Sequence, residues 1–296
     1  MSAKLDSILK KFAVSHNECE EVYEDFMPGY SPSYIDIGLK RPVKDDLLVG
    51  HRVTGTPYNL SRRQLIRRSA GFYGSSGSGK TTGVVALLDA MLENPTVELN
   101  DKEIPINFII TDPDCDVLQN FEDFDNVKYH DTSEMDEIEI WDLHADLFES
   151  GLQRPLVKDA TDVEIIVIEE AEDVSPEGGI SEQDLEKDEK EAKTRCWKKH
   201  KAHARKARKR ASLSWNIIQN VFGFRKSILR QIKTHFVWQL EDIKQISATS
   251  KPWLMAHAYD IINAERGRCF ASGEGIPQRN MIFDVAQVDK YQTSDT

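Results

Sequence analysis

The sequence predicts an α/β fold, a mostly parallel sheet flanked by helices, from three features. Short apolar runs suited to buried strands alternate with helical segments. Several of these runs end in polar or acidic residues, which puts a site at the strand C-termini. A glycine-rich turn, Gly74-Ser75-Ser76-Gly77-Ser78-Gly79-Lys80-Thr81, joins one such strand to an apolar helix.

In order, Leu5, Ile8, Leu9 and Phe12 space out a short amphipathic helix over 1–14. Residues 15–48 lack periodicity, and 1–48 read as an arm or small cap ahead of one domain spanning 49–296. A strand pair fits Val49 to Leu60, and a capped turn at 60–65 leads to the strand 69–73. The turn follows, then a helix near 82–92 with Val84, Val85, Leu87, Leu88 and Met91 on its apolar face. Ile104 to Ile110 is a second buried strand, ending in Asp112-Pro113-Asp114. Val127–His130 and Ile138–Trp141 suggest short strands, and Val163 to Ile168 is a strong one. A charged helical segment then covers about 181–233, broken near Gly223, within an insertion at 176–233. Thr234 to Trp238, Arg268 to Ser272 and Asn280 to Val285 complete the strands.

Composition narrows the class. With 296 residues, 40% hydrophobic and 30% charged, the chain can build a core under a large polar surface. No apolar run approaches the ~20 residues that span a bilayer, and the N-terminus lacks a secretory pattern. Cys19, Cys115, Cys196 and Cys269 form no C-x-x-C pair, which suits reduced thiols in a cytosol-like compartment. A net charge of −12 argues against uniform attraction to nucleic acid, but acidic residues crowd 112–191 and a basic block follows.

Gly74, Gly79, Lys80 and Thr81 satisfy G-x-x-x-x-G-K-[ST], a loop whose backbone N–H groups curl around phosphates. Lys80 then reaches the β- and γ-phosphates of ATP and the Thr81 hydroxyl ligates Mg²⁺, while the helix opening at Thr82 aims its positive end at the same site. Glu169 and Glu170, at the end of an apolar strand, suit a Mg²⁺ partner and a general base for the attacking water. Gln239, at the end of 234–238, is placed to sense the γ-phosphate. Lys193, Arg195, Lys198, Lys199, Lys201, Arg205, Lys206, Arg208, Lys209 and Arg210 form either an electrostatic footprint for DNA or a solvated helix neutralising Glu182 to Glu191. Trp197 and Trp215 beside the block favour the footprint. Cys196, His200 and His203 share a helix face, read as a coincidental surface face rather than a zinc site. Asp112, Asp114 and Asp116 are spaced like a metal loop but lack the following EF-hand pattern.

Val49-Gly50-His51 through Leu60-Ser61, Leu65-Ile66-Arg67-Arg68 and the glycine-rich loop together resemble the lead-in and loop of HerA/FtsK-type ATPases. Phe108–Pro113, Glu169-Glu170-Ala171, the strand ending at Gln239 and Gly267–Gly273 are similar to that family's later motifs, in order. The resemblance implies a RecA-like P-loop NTPase fold, into which the charged helical segment would be inserted, working with ATP and Mg²⁺. It implies a homo-oligomeric ring, commonly a hexamer, in which an arginine acts across subunits; Arg225 and Arg230 fall in the matching region. Implied partners are double-stranded DNA and a capsid portal or membrane-associated component, with a cytoplasmic or virion-associated location. Glu169 stands where that family has Asp, the glutamine strand lacks the usual Thr-Gln ending, and 1–48 is too short for an N-terminal barrel. The expectation is therefore a minimal genome-packaging or DNA-transfer motor. Two rivals share the loop: a recombination ATPase on single-stranded DNA, and a nucleotide-gated assembly or secretion scaffold.

Overall fold

The structure, a computed structural model, describes residues 46–53, 55–115, 117–177, 185–274, 276 and 280–285. The expected helix over 1–14, most of the arm, Cys19, Asp116, Glu182 and Asp184 lie outside the described residues.

Strand β1 (Asp46–Arg52) begins inside the stretch assigned to the arm and pairs antiparallel with β2 (Pro57–Ser61). The short helix α1 (Arg62–Leu65) leads to β3 (Ala70–Tyr73), all four residues of which are buried. The glycine-rich loop connects β3 to α2 (Lys80–Leu92). A hairpin of β4 (Thr96–Leu99) and β5 (Lys102–Asp112) follows, then β6 (Val127–Asp131), α3 (Glu137–Gln153) and β7 (Val163–Ile168). Beyond β7 come α4 (Ala171–Val174), α5 (Lys187–Lys206), β8 (Ser212–Ile218), α6 (Lys226–Leu229) and β9 (Thr234–Val237). Three short helices, α7 (Ile243–Ala248), α8 (Pro252–Ala256) and α9 (Ala258–Ile262), precede β10 (Arg268–Gly273) and β11 (Asn280–Val285).

The sheet order is β2-β1-β11-β10-β9-β3-β8-β7-β5-β4, with β6 also on β5. Strands β9, β3, β8, β7, β5 and β6 run parallel, so their C-terminal ends, and the loops leaving them, gather on one edge. The remaining strands extend the sheet antiparallel. Side chains alternate between two cores. Ile165, Val167, Phe72 and Phe236 face the α2 side, and Ile166, Ile168 and Val237 face the side covered by α3 and α5. A strand covered on both faces must be apolar throughout, and β7 is buried at all six residues.

Three sequence expectations need correction. The 181–233 segment is not one helical run: α5 ends at Lys206, and β8 enters the middle of the sheet between β3 and β7. In β8, Leu213, Trp215 and Ile217 pack into the α2-side core, so Trp215 is a core anchor. Its alternate residues Ser212, Ser214 and Asn216 are polar and fully buried, and that masks the strand. Their donors are met internally: Ser212 Oγ donates to Glu164, Ser214 N–H and Oγ meet Ser69 Oγ, and Asn216 Nδ2 donates to the Ala70 carbonyl, while Asn216 Oδ1 has no hydrogen-bond partner among the described residues.

Ile138–Trp141 is the first turn of α3 rather than a strand. Asp136 accepts the Glu139 N–H at 2.9 Å and Glu139 accepts the Asp136 N–H at 3.1 Å. This reciprocal cap, worth about 1 kcal/mol, commits the segment to helix. The third correction concerns the face of α5 that carries Cys196, His200 and His203. It is fully buried, not exposed, and stacks on Phe148 of α3. His200 Nδ1 meets Ser175 Oγ and His203 Nε2 meets Ser212 Oγ, each at 2.8 Å. No group of three or more potential metal ligands occurs among the described residues.

Candidate active site

The loop between β3 and α2 is shaped by two glycines in the left-handed region, Gly77 (φ 74°) and Gly79 (φ 96°), where a side chain would be strained. It is fastened at three places. Gly74 N–H donates to Ile218 O, Ser75 N–H to Gln239 O and Gly267 N–H to Ser78 O, so β8, β9 and the turn before β10 all hold it. Ser76, Gly77 and Thr82 are exposed, Ser75 and Thr81 half-buried, and Gly74, Ser78, Gly79 and Lys80 buried. Lys80 and Thr81 open α2, whose positive dipole end faces the loop.

The end of β7 meets this loop. Lys80 Nζ lies 3.8 Å from Glu169 Oε1, both side chains being less than a tenth exposed. Burial pushes the Glu169 carboxyl up to about 7 despite the opposing lysine, with Asp112 and Glu170 adding to the rise. Lys80 Nζ, Ser78 Oγ and Glu169 Oε2 are buried without a hydrogen-bond partner among the described residues. Unspent donors beside a carboxyl whose charge is disfavoured by burial, next to a helix N-terminus, are the chemistry that a polyphosphate with a bound divalent cation satisfies. The residues therefore fit ATP with Mg²⁺, which the loop and Lys80, Thr81 and Glu169 would hold.

Glu170 caps α4 with left-handed dihedrals (φ 48°, ψ 49°), a conformation costing a non-glycine residue roughly 1–2 kcal/mol. Its carboxyl, raised by burial and by Asp114, is half-buried. Asp112, at the end of β5, is buried, accepts from Tyr129 Oη at 3.1 Å and is likewise raised by burial. Acidic side chains thus cluster around one lysine at the strand ends.

The structure separates the two glutamines. Gln239 Nε2 donates to the Ile262 carbonyl at 3.0 Å, and its own carbonyl holds Ser75, so it buttresses the loop. The amide that reaches the acidic pair belongs to Gln219, just past β8, whose Nε2 donates to Glu170 Oε1 at 3.1 Å. Its signal in the sequence was a polar residue following Ile217-Ile218. Glu172 was missed as well; it accepts the N–H groups of Gln219 and Asn220. Arg225 is engaged away from the loop, with its guanidinium 4.3 Å from the Trp197 ring centroid and Nη1 donating to Pro176 O. Arg230 is exposed at the end of α6.

Among the described residues the basic block is partly neutralised by α3. Arg195 pairs with Asp142 and Asp146, and Lys199 Nζ lies 2.6 Å from Glu149. Lys193 is buried, its Nζ 5.8 Å over the Trp141 ring. Lys198, Arg205, Lys206 and Lys209 remain exposed, with Lys201 half-buried. Among the described residues, no helix is long and apolar enough to cross a membrane.

The model of the helicase HerA central domain matches residues 47–261. No curated protein matches the chain. Among solved structures, the chain is similar to the pCW3 conjugation coupling protein TcpA in its monomer form with ATPγS. That match has 14% identity and a TM-score of 0.58, and covers 88% of this chain and 70% of TcpA. The cytoplasmic domain of the Thermomonospora curvata type VII secretion ATPase EccC is 13% identical at a TM-score of 0.55, with 91% of this chain and 32% of that one covered. The genome packaging NTPase B204 of Sulfolobus turreted icosahedral virus 2, in complex with ATPγS, is 11% identical at a TM-score of 0.50, with 75% of this chain and 99% of that one covered. At such identities the structural likeness is one of fold. Because the family match spans most of the chain, residues 47–261, the protein belongs to the HerA central-domain family of P-loop ATPases.

Proposed function

We propose that the chain is a Mg²⁺-dependent ATPase that uses hydrolysis to move double-stranded DNA, as a minimal genome-packaging or DNA-transfer motor. The observation that carries the enzymatic part is the buried Lys80–Glu169 pair at the loop, with Glu170 beside it on a strained backbone. Lys80 and the loop N–H groups neutralise the phosphates, and Ser78 adds a hydroxyl donor. A Mg²⁺ ion held through Thr81 and Glu169 would polarise the β- and γ-phosphate oxygens. Glu170 takes the proton of the attacking water, and Gln219 orients it. Gln239 keeps the loop seated.

The DNA part rests on family membership and on the exposed cations Lys198, Arg205, Lys206 and Lys209. A ring, commonly hexameric, would place Arg230 of one subunit at the phosphates of the next, since Arg225 is spent on Trp197. The ion pairs of Arg195 and Lys199 shrink the available footprint, which keeps the nucleotide-gated scaffold as a second reading. Location, cytoplasmic or virion-associated, and a portal or membrane partner follow from the motor reading.

The test is ATP turnover with and without duplex DNA. Wild type should show stimulated turnover, Lys80→Ala should lose nucleotide binding, and Glu170→Gln should bind ATP without hydrolysing it. Negligible turnover with intact ATP binding supports the scaffold. Stimulation by single strands alone supports a recombination ATPase.

A further inference from the structure

Glu172 lies two residues beyond Glu170, in the first turn of α4, and is half-buried. Its Oε1 accepts two backbone N–H groups, from Gln219 at 2.8 Å and Asn220 at 2.7 Å. Those are the first two residues past β8. Gln219 in turn sends its side-chain amide back to Glu170 Oε1 at 3.1 Å. Glu170, Glu172 and Gln219 thus close a loop in which one carboxylate sets the backbone whose side chain sets the other.

The far end of the β8–α6 connection is fastened by other groups. Glu177 N–H donates to Gly223 O at 2.6 Å, Arg225 N–H to Ser175 O at 2.9 Å and Lys226 N–H to Glu177 Oε2 at 2.7 Å. Pro176 and Phe224 form an isolated bridge. Asn220 closes its own turn by accepting the Phe222 and Gly223 N–H groups through Oδ1. Glu172 is therefore the side chain that fixes residues 219–220, while five residues farther on the connection is fastened by backbone. A single oxygen accepting two consecutive N–H groups fixes both backbone positions at once, which suits holding a backbone in register.

We propose that Glu172 is a positioning residue for ATP hydrolysis. It pins the exit of β8 so that Gln219 holds the Glu170 carboxylate in line with the attacking water. The inference rests on the assignment of Glu170 as the base. It adds a residue that touches neither the nucleotide loop nor the reacting atoms yet sets the geometry of both groups that do.

The experiment compares steady-state ATP turnover and ATP affinity for full-length Glu172→Ala, Glu172→Asp, Glu172→Gln, Gln219→Ala, the Glu172→Ala/Gln219→Ala double variant and Glu170→Gln. Glu172→Ala should lower kcat by on the order of 10- to 100-fold, the cost of misplacing a reacting group by about 1 Å. Its ATP dissociation constant should stay within about twofold of wild type, because the interaction matters only in the transition state. Glu172→Asp keeps the charge but retracts the acceptor and should lose part of kcat, also if the alanine variant fails to fold. Glu172→Gln keeps an acceptor in place and should recover most of it. The double variant should be no worse than the worse single variant. Wild-type kcat in Glu172→Ala beside an inactive Glu170→Gln overturns the inference alone, as does a double loss equal to the product of the singles. Wild-type turnover in Glu170→Gln overturns the base assignment and the inference with it.

Discussion

Gly83 offers a test in which two known effects oppose each other. It lies in the first turn of α2, three residues after Lys80, and is buried. Replacing glycine by alanine inside a helix ordinarily stabilises by about 1 kcal/mol. Here a Cβ would overlap the Trp238 indole, coming within 2.8 Å of Cη2 and 3.0 Å of Cε2. Trp238 is 1% exposed, and its backbone is fixed by an N–H bond to Tyr73 O, so it has little room to yield. Overpacking of this kind costs about 1–3 kcal/mol. Gly83→Ala should therefore be destabilised by a net ~1 kcal/mol, against the helix-propensity expectation. The same shift should reach the nucleotide loop, because a Cβ on Gly74 would stand only 3.0 Å from Trp238 Cβ. Urea unfolding, with ATP affinity measured alongside, reads both effects. Trp238→Phe should cost less in the Gly83→Ala background than alone. A Gly83→Ala protein more stable than wild type, or strict additivity with Trp238→Phe, would refute the packing argument.

Acid should unfold the protein through its buried histidines. Burial holds His144 down to about 4 and His203 down to about 3 from an ordinary 6.5, so the unfolded chain binds their protons first. The histidines' contribution to stability is full above pH 6.5 and is lost as pH drops toward 4, by about 3 kcal/mol for His144 alone, while Glu169, held up to about 7, works the other way; thermal melting at pH 7 and pH 5 checks that the four buried histidines outweigh it, and a flat profile contradicts that. Ser212→Val removes the hydroxyl that joins His203 to Glu164 and should cost about 1–3 kcal/mol by urea titration, from leaving buried polar groups unpaired. Arg195→Ala, by contrast, breaks exposed ion pairs and should cost no more than about 1 kcal/mol. Reversing Lys198, Arg205, Lys206 and Lys209 to Glu should flatten the salt dependence of duplex binding; an unchanged slope makes that face ordinary surface.

What the sequence announced was chemistry with a fixed spacing. The glycine-rich loop and the strand end at Glu169 were legible because their residue types follow a known order and spacing, and Lys80 Nζ lies 3.8 Å from Glu169 Oε1. Strands such as Val163–Ile168 were legible because burial on both faces leaves an unbroken apolar run. β8 was not, because its partners under α5 are polar and satisfied far along the chain: Ser214 by Ser69 and Asn216 by Ala70. Its periodicity exists, but burial of Ser and Asn inverts the usual reading of alternation. With β8 hidden, the sequence offered Gln239 and not Gln219, whose amide donates to Glu170. Both residues end strands that flank β3, and only strand order tells which of them faces Glu170. The α3 start misled because four residues of Ile-Glu-Ile-Trp carry a two-residue period, while the decision for helix lay in the cap at Asp136.

The seating of β8 between β3 and β7 also bears on how the chain is made. β3 leaves the ribosome early, yet both of its sheet neighbours are encoded about 140 to 165 residues later, so the nucleotide cleft is assembled almost entirely from distant contacts. A nascent chain halted before residue 212 would display β3 and β7 as open ladders separated by an empty slot, an arrangement that invites pairing with a foreign strand. Synthesis through β9 is thus what converts a sticky half-sheet into an enzyme-like cleft.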